Sequence, residues 1–460
     1  MINQKLLAEM QDIAHSLNKA AFARLTKKTH FSDIADVMDK MHPDTVLTML
    51  TLLAPLPRAR LFTHFTDQRQ DTLLNIMPRE AIAELFDQLP SDERADLYNR
   101  LKEDVRQRLL PAMAQVERED ILRMASYPEG TTGAETTSDY VSVSPEMTVA
   151  QALNHIRATA PNKETIYVVY VLDEAFRLRG TVSLRELVLA EENINIESIM
   201  RPDPISASAH WPREQASGLI HRYDLLALPV INNNDKMIGI VTVDDAMDIE
   251  KEHDASQLAR FGGTALSNNT DLDMLTSSFG RMFKVRLFWL IVLTLFGIMT
   301  STFVAAQEEL LTEVIVLAAF IAPIVDMGGN TGSQSATLVI RAMALGELKL
   351  NWRDVWFVIR RELPIAAALG LVIAIVEAIL AYFAKGVGLN VLIVVGLSML
   401  VCTALGGIIG ALLPFVARRI GTDPATLSSP LITSIMDLIG VFIYFGFAYI
   451  FLGDLLMQPG

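Results

Sequence analysis

The hydrophobic pattern changes character three times along the chain. Over residues 1–131, Leu and Met recur at helical spacing. Pro43, Pro57, Pro78 and Pro90 each stand near the start of a new helix, where proline is tolerated. This predicts short helices forming a small all-α superhelical domain. Over residues 137–256 the apolar positions gather into short β-branched runs separated by turns. Beyond residue 284 they merge into five stretches, at 287–306, 314–340, 363–383, 391–416 and 430–452. Each is long enough to cross a bilayer, which takes about 20 helical residues.

The middle region repeats itself. TIYVVYVLDEAFRLRGTVSLRELV is echoed by LLALPVINNNDKMIGIVTVDDAM, with Val171 matching Val230 and Gly180 matching Gly239, both 59 residues apart. Each copy reads as strand, turn, strand and helix, with the turns at 173–176 and 232–235. Amphipathic helices (VAQALNHIRA and REQASGLIHRY) precede them. The two copies, 132–198 and 199–256, resemble a CBS-domain pair, a regulatory module that often binds adenine nucleotides. ATP is therefore a candidate ligand. A helix dense in acids leaves the second copy, carrying Asp244, Asp245, Asp248, Glu250, Glu252 and Asp254. Like charges on one helix repel, and a divalent cation or a basic partner would relieve them; a solvated charged face is the alternative. Gly262 and Gly263 then break the helix, and a connecting segment (257–283) leads to the membrane region (284–460).

Charge divides the chain in the same place. The formal net charge is −14, yet residues 281–460 hold 11 acids and 11 bases. The first 280 residues therefore hold 42 acids against 28 bases, a soluble half that repels nucleic acid and attracts cations. The N-terminal segment lacks an unbroken apolar core and does not read as a signal peptide. Arg281, Lys284 and Arg286 precede the first span. Arg341, Lys349, Arg353, Arg360 and Arg361 separate the second from the third, and Arg418 and Arg419 the fourth from the fifth. The opposite side carries Glu308 and Glu309 and a single base, Lys385. The positive-inside rule then predicts a multi-pass protein of the inner (plasma) membrane, with the N-terminus and soluble half cytoplasmic and the C-terminus outside.

Asp326, Glu362, Glu377 and Asp437 fall within or beside the spans, where a charge is costly and usually faces a partner or a water-filled path. Glu362 and Glu377 have arginines or an interface within reach. Asp437 sits among small and hydroxylated residues in SSPLITSIMDLIG, with no base nearby in its span. A carboxylate so placed asks for a cation from solution. The second span contains MGGNTGSQSATLVIRAM, whose Gly328, Gly329 and Asn330 predict an interrupted helix lining a path; close helix packing is the other use of such glycines. The single Cys402 allows no disulfide within the chain. The N-terminal histidines His15, His30, His42 and His64 are scattered and read as ordinary surface or core residues.

The motifs GGNTGSQSATLVIRA (328–342) and DPATLSSPLITSIMDLIG (423–440), with RYDLLALPV and GIVTVDDAMDI in the repeat, resemble the MgtE family of Mg²⁺ transporters over the whole chain. The resemblance implies a homodimer with a pore between membrane halves, and cytoplasmic Mg²⁺ that closes it by binding acids and holding a plug helix in place. It implies that Asp437 holds hydrated Mg²⁺ in the pore. It also implies that Glu214, Asp224, Asp245 and Asp248 sense Mg²⁺, with Glu252 and Asp254 as weaker candidates. This chain departs from the family pattern at His253 and Ser256 on the plug helix and at Ser333 near the pore.

Mg²⁺ suits these residues, because it demands oxygen ligands and sheds water reluctantly. A soft transition metal would want His, Cys or Met ligands, and the spans have no histidine. The chain lacks a P-loop, a nucleophile–base pair and a His-based metal motif. That argues against an enzyme or an ATP-driven pump and for passive transport. Two further readings stand beside it: a channel for Co²⁺, Mn²⁺ or Ca²⁺, and a membrane-anchored sensor that transports nothing.

Overall fold

The computed structural model describes residues 4–264, 272, 277–426 and 429–456. It divides into two units, Met1–Glu252 and His253–Gly460. The first opens with ten short α-helices among the described residues, from Gln4–Ser16 to Gln115–Met124. Pro43 is the first residue of its helix, Pro57 lies in the first turn of the next, and Pro78 and Pro90 cap two others. The first turn has backbone N–H groups without helical partners, so the missing donor costs nothing there. Met10, Phe22, Ile34, Met38, Met49, Phe62 and Phe86 are fully buried and form one core along the stacked helices.

Each repeat copy then builds a small sheet. The first comprises β1 (Ser142–Val143), α1 (Val149–Thr159), β2 (Val168–Leu172), β3 (Leu178–Ser183), α2 (Leu184–Leu189) and β4 (Arg201–Pro202). The second comprises β5 (Ala207–Ser208), α3 (Arg213–Tyr223), β6 (Ala227–Ile231), β7 (Met237–Thr242) and α4 (Val243–Phe261). The sheet orders are β1-β2-β3-β4 and β5-β6-β7, each with one parallel pair followed by antiparallel pairing.

The repeat is exact in register: Val171 pairs with Gly180, and Val230 with Gly239. Asp173 and Asn232 each accept two turn N–H groups, and Phe176 and Asp235 close those turns at φ 62° and 57°. The matched glycines have one cause. A Cβ on Gly180 would lie 2.8 Å from the carbonyl of Arg201, and one on Gly239 only 2.2 Å from that of Thr137. In both copies another segment of the same chain crosses at that point. Tyr170, Leu172, Ala227, Met237 and Ile240 pack into a core shared by the two copies.

Among the described residues, the second unit holds five helices long and apolar enough to cross a membrane. They are α5 (Phe279–Ala305), α6 (Ala318–Ala344), α7 (Trp352–Lys385), α8 (Leu389–Arg419) and α9 (Ser429–Leu456). Four of them are longer than the apolar stretches read from sequence, because the helices carry on through their polar ends, and α6 instead lies four residues further along than its stretch; α7 begins at Trp352 and passes Pro364 unbroken.

The interruption expected at Gly328–Gly329 does not occur. α6 is continuous over 27 residues, and both glycines are buried. Their purpose is close packing. A Cβ on Gly406 of α8 would fall 2.2 Å from the carbonyl of Gly328, and one on Gly410 just 1.9 Å from that of Gly332. Small residues let the two backbones touch where side chains would hold them apart. The expected break after α4 is present: the helix ends at Phe261 and Gly263 takes φ 67°. Residues 265–271 and 273–276 of the connecting segment lie outside the described residues.

Candidate functional site

Asp437 lies about two turns into α9, partly buried. Among the described residues no basic side chain pairs with it. The α6 face opposite is fixed by close approach: a Cβ on Gly329 would touch Thr433, and one on Gly440 would touch Val325. This brings Asp326 of α6 near enough for its charge to act on Asp437. Asn330, one turn along, donates from Nδ2 to Asp326 Oδ2 at 2.9 Å, and both residues are exposed. Ser429 at the head of α9 donates to Ser333 at 2.9 Å. A carboxylate on each of two helices, an amide and hydroxyls thus share one face of the α6–α9 pair. Glu362 does not pair with its neighbouring arginines; it accepts a hydrogen bond from Ser335 of α6.

The acids expected to sense Mg²⁺ are dispersed. Glu214 is in the first turn of α3 and lies 4.0 Å from Arg213. Asp224 is the C-cap of the same helix, at φ 52°. Ten residues of helix separate these two by about 15 Å, so one ion cannot join them within a chain. Asp248 and Asp254 are exposed on α4, and Glu252 pairs with Arg213 at 2.7 Å. Arg213 also holds Glu135 at 2.9 Å.

Asp245 is different. Its Oδ2 accepts from Thr242 N and Oγ1 at 3.2 and 2.5 Å, a capping interaction at the start of α4. Glu186 does the same for Ser183 in the first copy. Burial pushes the Asp245 carboxyl up to about 6, with Asp244 and Glu135 adding like charge and Thr242 opposing the rise.

Sequence reasoning missed what faces Asp245. Ser91 begins an N-domain helix, shares a hydrogen bond with Thr137 at 3.0 Å and accepts from Ser138 N at 2.5 Å. That contact docks the SDERAD segment on the repeat. Burial, with Asp245 nearby, holds the Asp92 carboxyl well above its usual range, and Asp92 Oδ1 is buried without a hydrogen bond. Glu93 and Asp96 are raised to about 7, mainly by burial, with the charge of Asp96 adding to the rise at Glu93 and that of Glu135 at Asp96. Glu135 and Glu164 are raised by burial too. Three acids within five residues at a helix start, in a domain with ample surface to place them elsewhere, were the available signal. No group of three or more His, Cys, Asp or Glu side chains surrounds a single point among the described residues. Two of the histidines scattered in sequence meet in the fold: His30 and His64, both exposed, lie 5.5 Å apart with Ser32 between them.

Comparison with known proteins assigns each region. The MgtE family profile, described as a divalent cation transporter, matches residues 321–447. The MgtE intracellular N domain matches 29–130, and CBS domains match 135–193 and 196–252. A magnesium transporter MgtE of Thermus thermophilus is 32% identical, covering 98% of this chain and 99% of its own. The soluble part of a magnesium transporter superposes with TM-score 0.52 at 26% identity, covering 54% of this chain and 98% of its own. The cytosolic domain of the Mg²⁺ channel MgtE in complex with ATP gives 0.50 at 29%, covering 53% and 99%. This chain belongs to the MgtE family of magnesium transporters: an N domain and a CBS pair joined to a multi-pass membrane region of five apolar helices.

Proposed function

We propose that the chain forms a homodimeric, channel-like importer that passes Mg²⁺ down its electrochemical gradient and closes when cytoplasmic Mg²⁺ binds its soluble acids. The observation that carries the pore assignment is Asp437, a carboxylate inside an apolar helix, without a basic partner among the described residues and beside Asp326 and Asn330. Hydrated Mg²⁺ keeps most of its waters and needs few direct ligands. Asp437 from each protomer, with Asn330 lining the approach, would supply them. Gly328 and Gly329 would shape the pore through backbone packing. With the positive loops cytoplasmic, each 100 mV of membrane potential would favour entry of a divalent cation by about 4.6 kcal/mol.

Gating rests on the acidic seam between the N domain and the CBS pair. At neutral pH its carboxylates oppose docking, and a divalent cation would stabilise it. Asp245 would contribute from the CBS side, and Asp92, Glu93 and Asp96 from the N domain. Glu214, Asp224, Asp248, Glu252 and Asp254 would act at separate points. ATP in the CBS pair is supported by the ATP complex of the relative's cytosolic domain. The decisive experiment is flux into liposomes of Mg²⁺, then Ca²⁺, Mn²⁺ and Co²⁺, with the parent and Asp437→Ala. Mg²⁺ flux in the parent and its near-loss in a correctly inserted variant are expected. Equal flux in both would reject the pore assignment, and no flux at all in the parent would favour a sensor.

A further inference from the structure

We infer that Arg260 and Asp423 form a metal-independent latch that holds the end of α4 on the membrane unit, a regulatory contact that rests on the gating reading above. Arg260 is in the last turn of α4. Asp423 precedes the turn Pro424–Thr426 that leads into α9. Although 163 residues apart, their Nη1 and Oδ2 lie at 2.5 Å. The side chains are only 12% and 19% exposed, which removes the pair from the class of surface ion pairs of negligible worth.

The loop presents the carboxylate in one orientation. Asp423 Oδ1 accepts from Ala425 N at 2.8 Å, leaving Oδ2 for Arg260. Thr422 donates to the Ala417 carbonyl at 2.9 Å, and Gly421 turns the chain at φ 81°. Arg260 thus supplies a cation from the chain itself on a helix otherwise dominated by acids. Charge-assisted bonds of this kind are the strong ones, and removing either partner strands a buried charge. Closure would start from a helix end already docked, so less Mg²⁺ is needed to complete it. The latch and the ions bias one equilibrium.

The test uses full-length protein in liposomes. Leu258→Cys and Ile420→Cys, both at exposed positions, carry spin labels. One narrow distance is expected in the parent. Arg260→Gln and Asp423→Asn should each broaden it, and the swap Arg260→Asp with Asp423→Arg should restore it. In flux assays each single variant should need about fivefold more Mg²⁺ for half-closure, with the swap returning toward the parent. An unchanged distance in the single variants overturns the latch. Broadened distances with an unmoved Mg²⁺ midpoint overturn its regulatory role. A parent that conducts but never closes with Mg²⁺ overturns the gating reading instead, and the label distances then decide the latch alone.

Discussion

Thr242 and Asp245 are joined by two hydrogen bonds at the start of α4, so a residue chosen for its charge also caps the helix that leaves the CBS pair. The two roles separate by substitution. Asp245→Ala loses both and should cost about 1 kcal/mol in cap stability. Asp245→Asn keeps an oxygen for Thr242 and loses the charge. Thermal unfolding of the soluble region is expected to fall for Ala and to hold for Asn, while both weaken Mg²⁺-induced protection from proteolysis. Equal protection in the parent and Asn variant would remove Asp245 from the sensing set.

The seam makes docking of the N domain depend on pH. Glu93 and Asp96 titrate near 7 and Asp245 near 6 in the folded state, all above their unfolded values near 4. A raised carboxyl binds more protons folded than unfolded. Its stabilisation is therefore complete below about pH 4 and is lost as pH rises to about 7. Acidification from pH 8 to 6 should tighten the soluble half without Mg²⁺, and the effect of added Mg²⁺ should shrink. Small-angle scattering at the two pH values, with and without Mg²⁺, measures both. Identical dimensions at pH 8 and 6 in chelator would count against the seam.

The repeat was legible because a 59-residue period carries its turns, glycines and helix starts together, as Asp173 and Asn232 or Gly180 and Gly239 demonstrate. The spans were legible from apolar length alone. The seam was not, because proximity of Asp92 to Asp245 depends on how one domain docks on another, and local pattern carries no such information. The glycines of α6 misled for a related reason. Local propensity counts glycine against a helix, whereas Gly406 and Gly410, far away in sequence, turn the same residues into a packing surface.

That surface yields its own expectation. Gly410→Ala would place a methyl 1.9 Å from the Gly332 carbonyl, and a Cβ is fixed to its own backbone while the carbonyl belongs to the other, so neither can swing aside. α6 and α8 must then separate, with a loss of about 1–3 kcal/mol or more, as for other overpacked cores. Gly297→Ala on α5, with open space around it, is the control and should be unchanged or more stable by up to about 1 kcal/mol. Thermal unfolding in detergent compares the two. A Gly410→Ala variant as stable as Gly297→Ala would contradict the contact.

The last expectation concerns the sign of gating. If Mg²⁺ closes the transporter by neutralising the seam, removing its charge chemically should imitate the ion. The triple change Asp92→Asn, Glu93→Gln, Asp96→Asn replaces three carboxyls with amides of similar size. Burying an amide costs far less than burying a carboxylate, so the N domain should stay docked without Mg²⁺ and at pH 8. Mg²⁺ flux at low cytoplasmic Mg²⁺ should then fall below the parent's, and further Mg²⁺ should change it little. The variant also loses ligands, which alone would raise the Mg²⁺ needed for closure and leave the protein open. The two effects oppose each other, and burial decides between them: Asp92 keeps an oxygen shut away without a partner, so relief of its charge should outweigh the loss of a weak ligand. Scattering and flux on the same preparation distinguish the cases. A compact variant with low, Mg²⁺-insensitive flux supports charge relief. An extended variant that conducts at every Mg²⁺ concentration would mean that the ion bridges specific oxygens, and that neutral side chains cannot replace it.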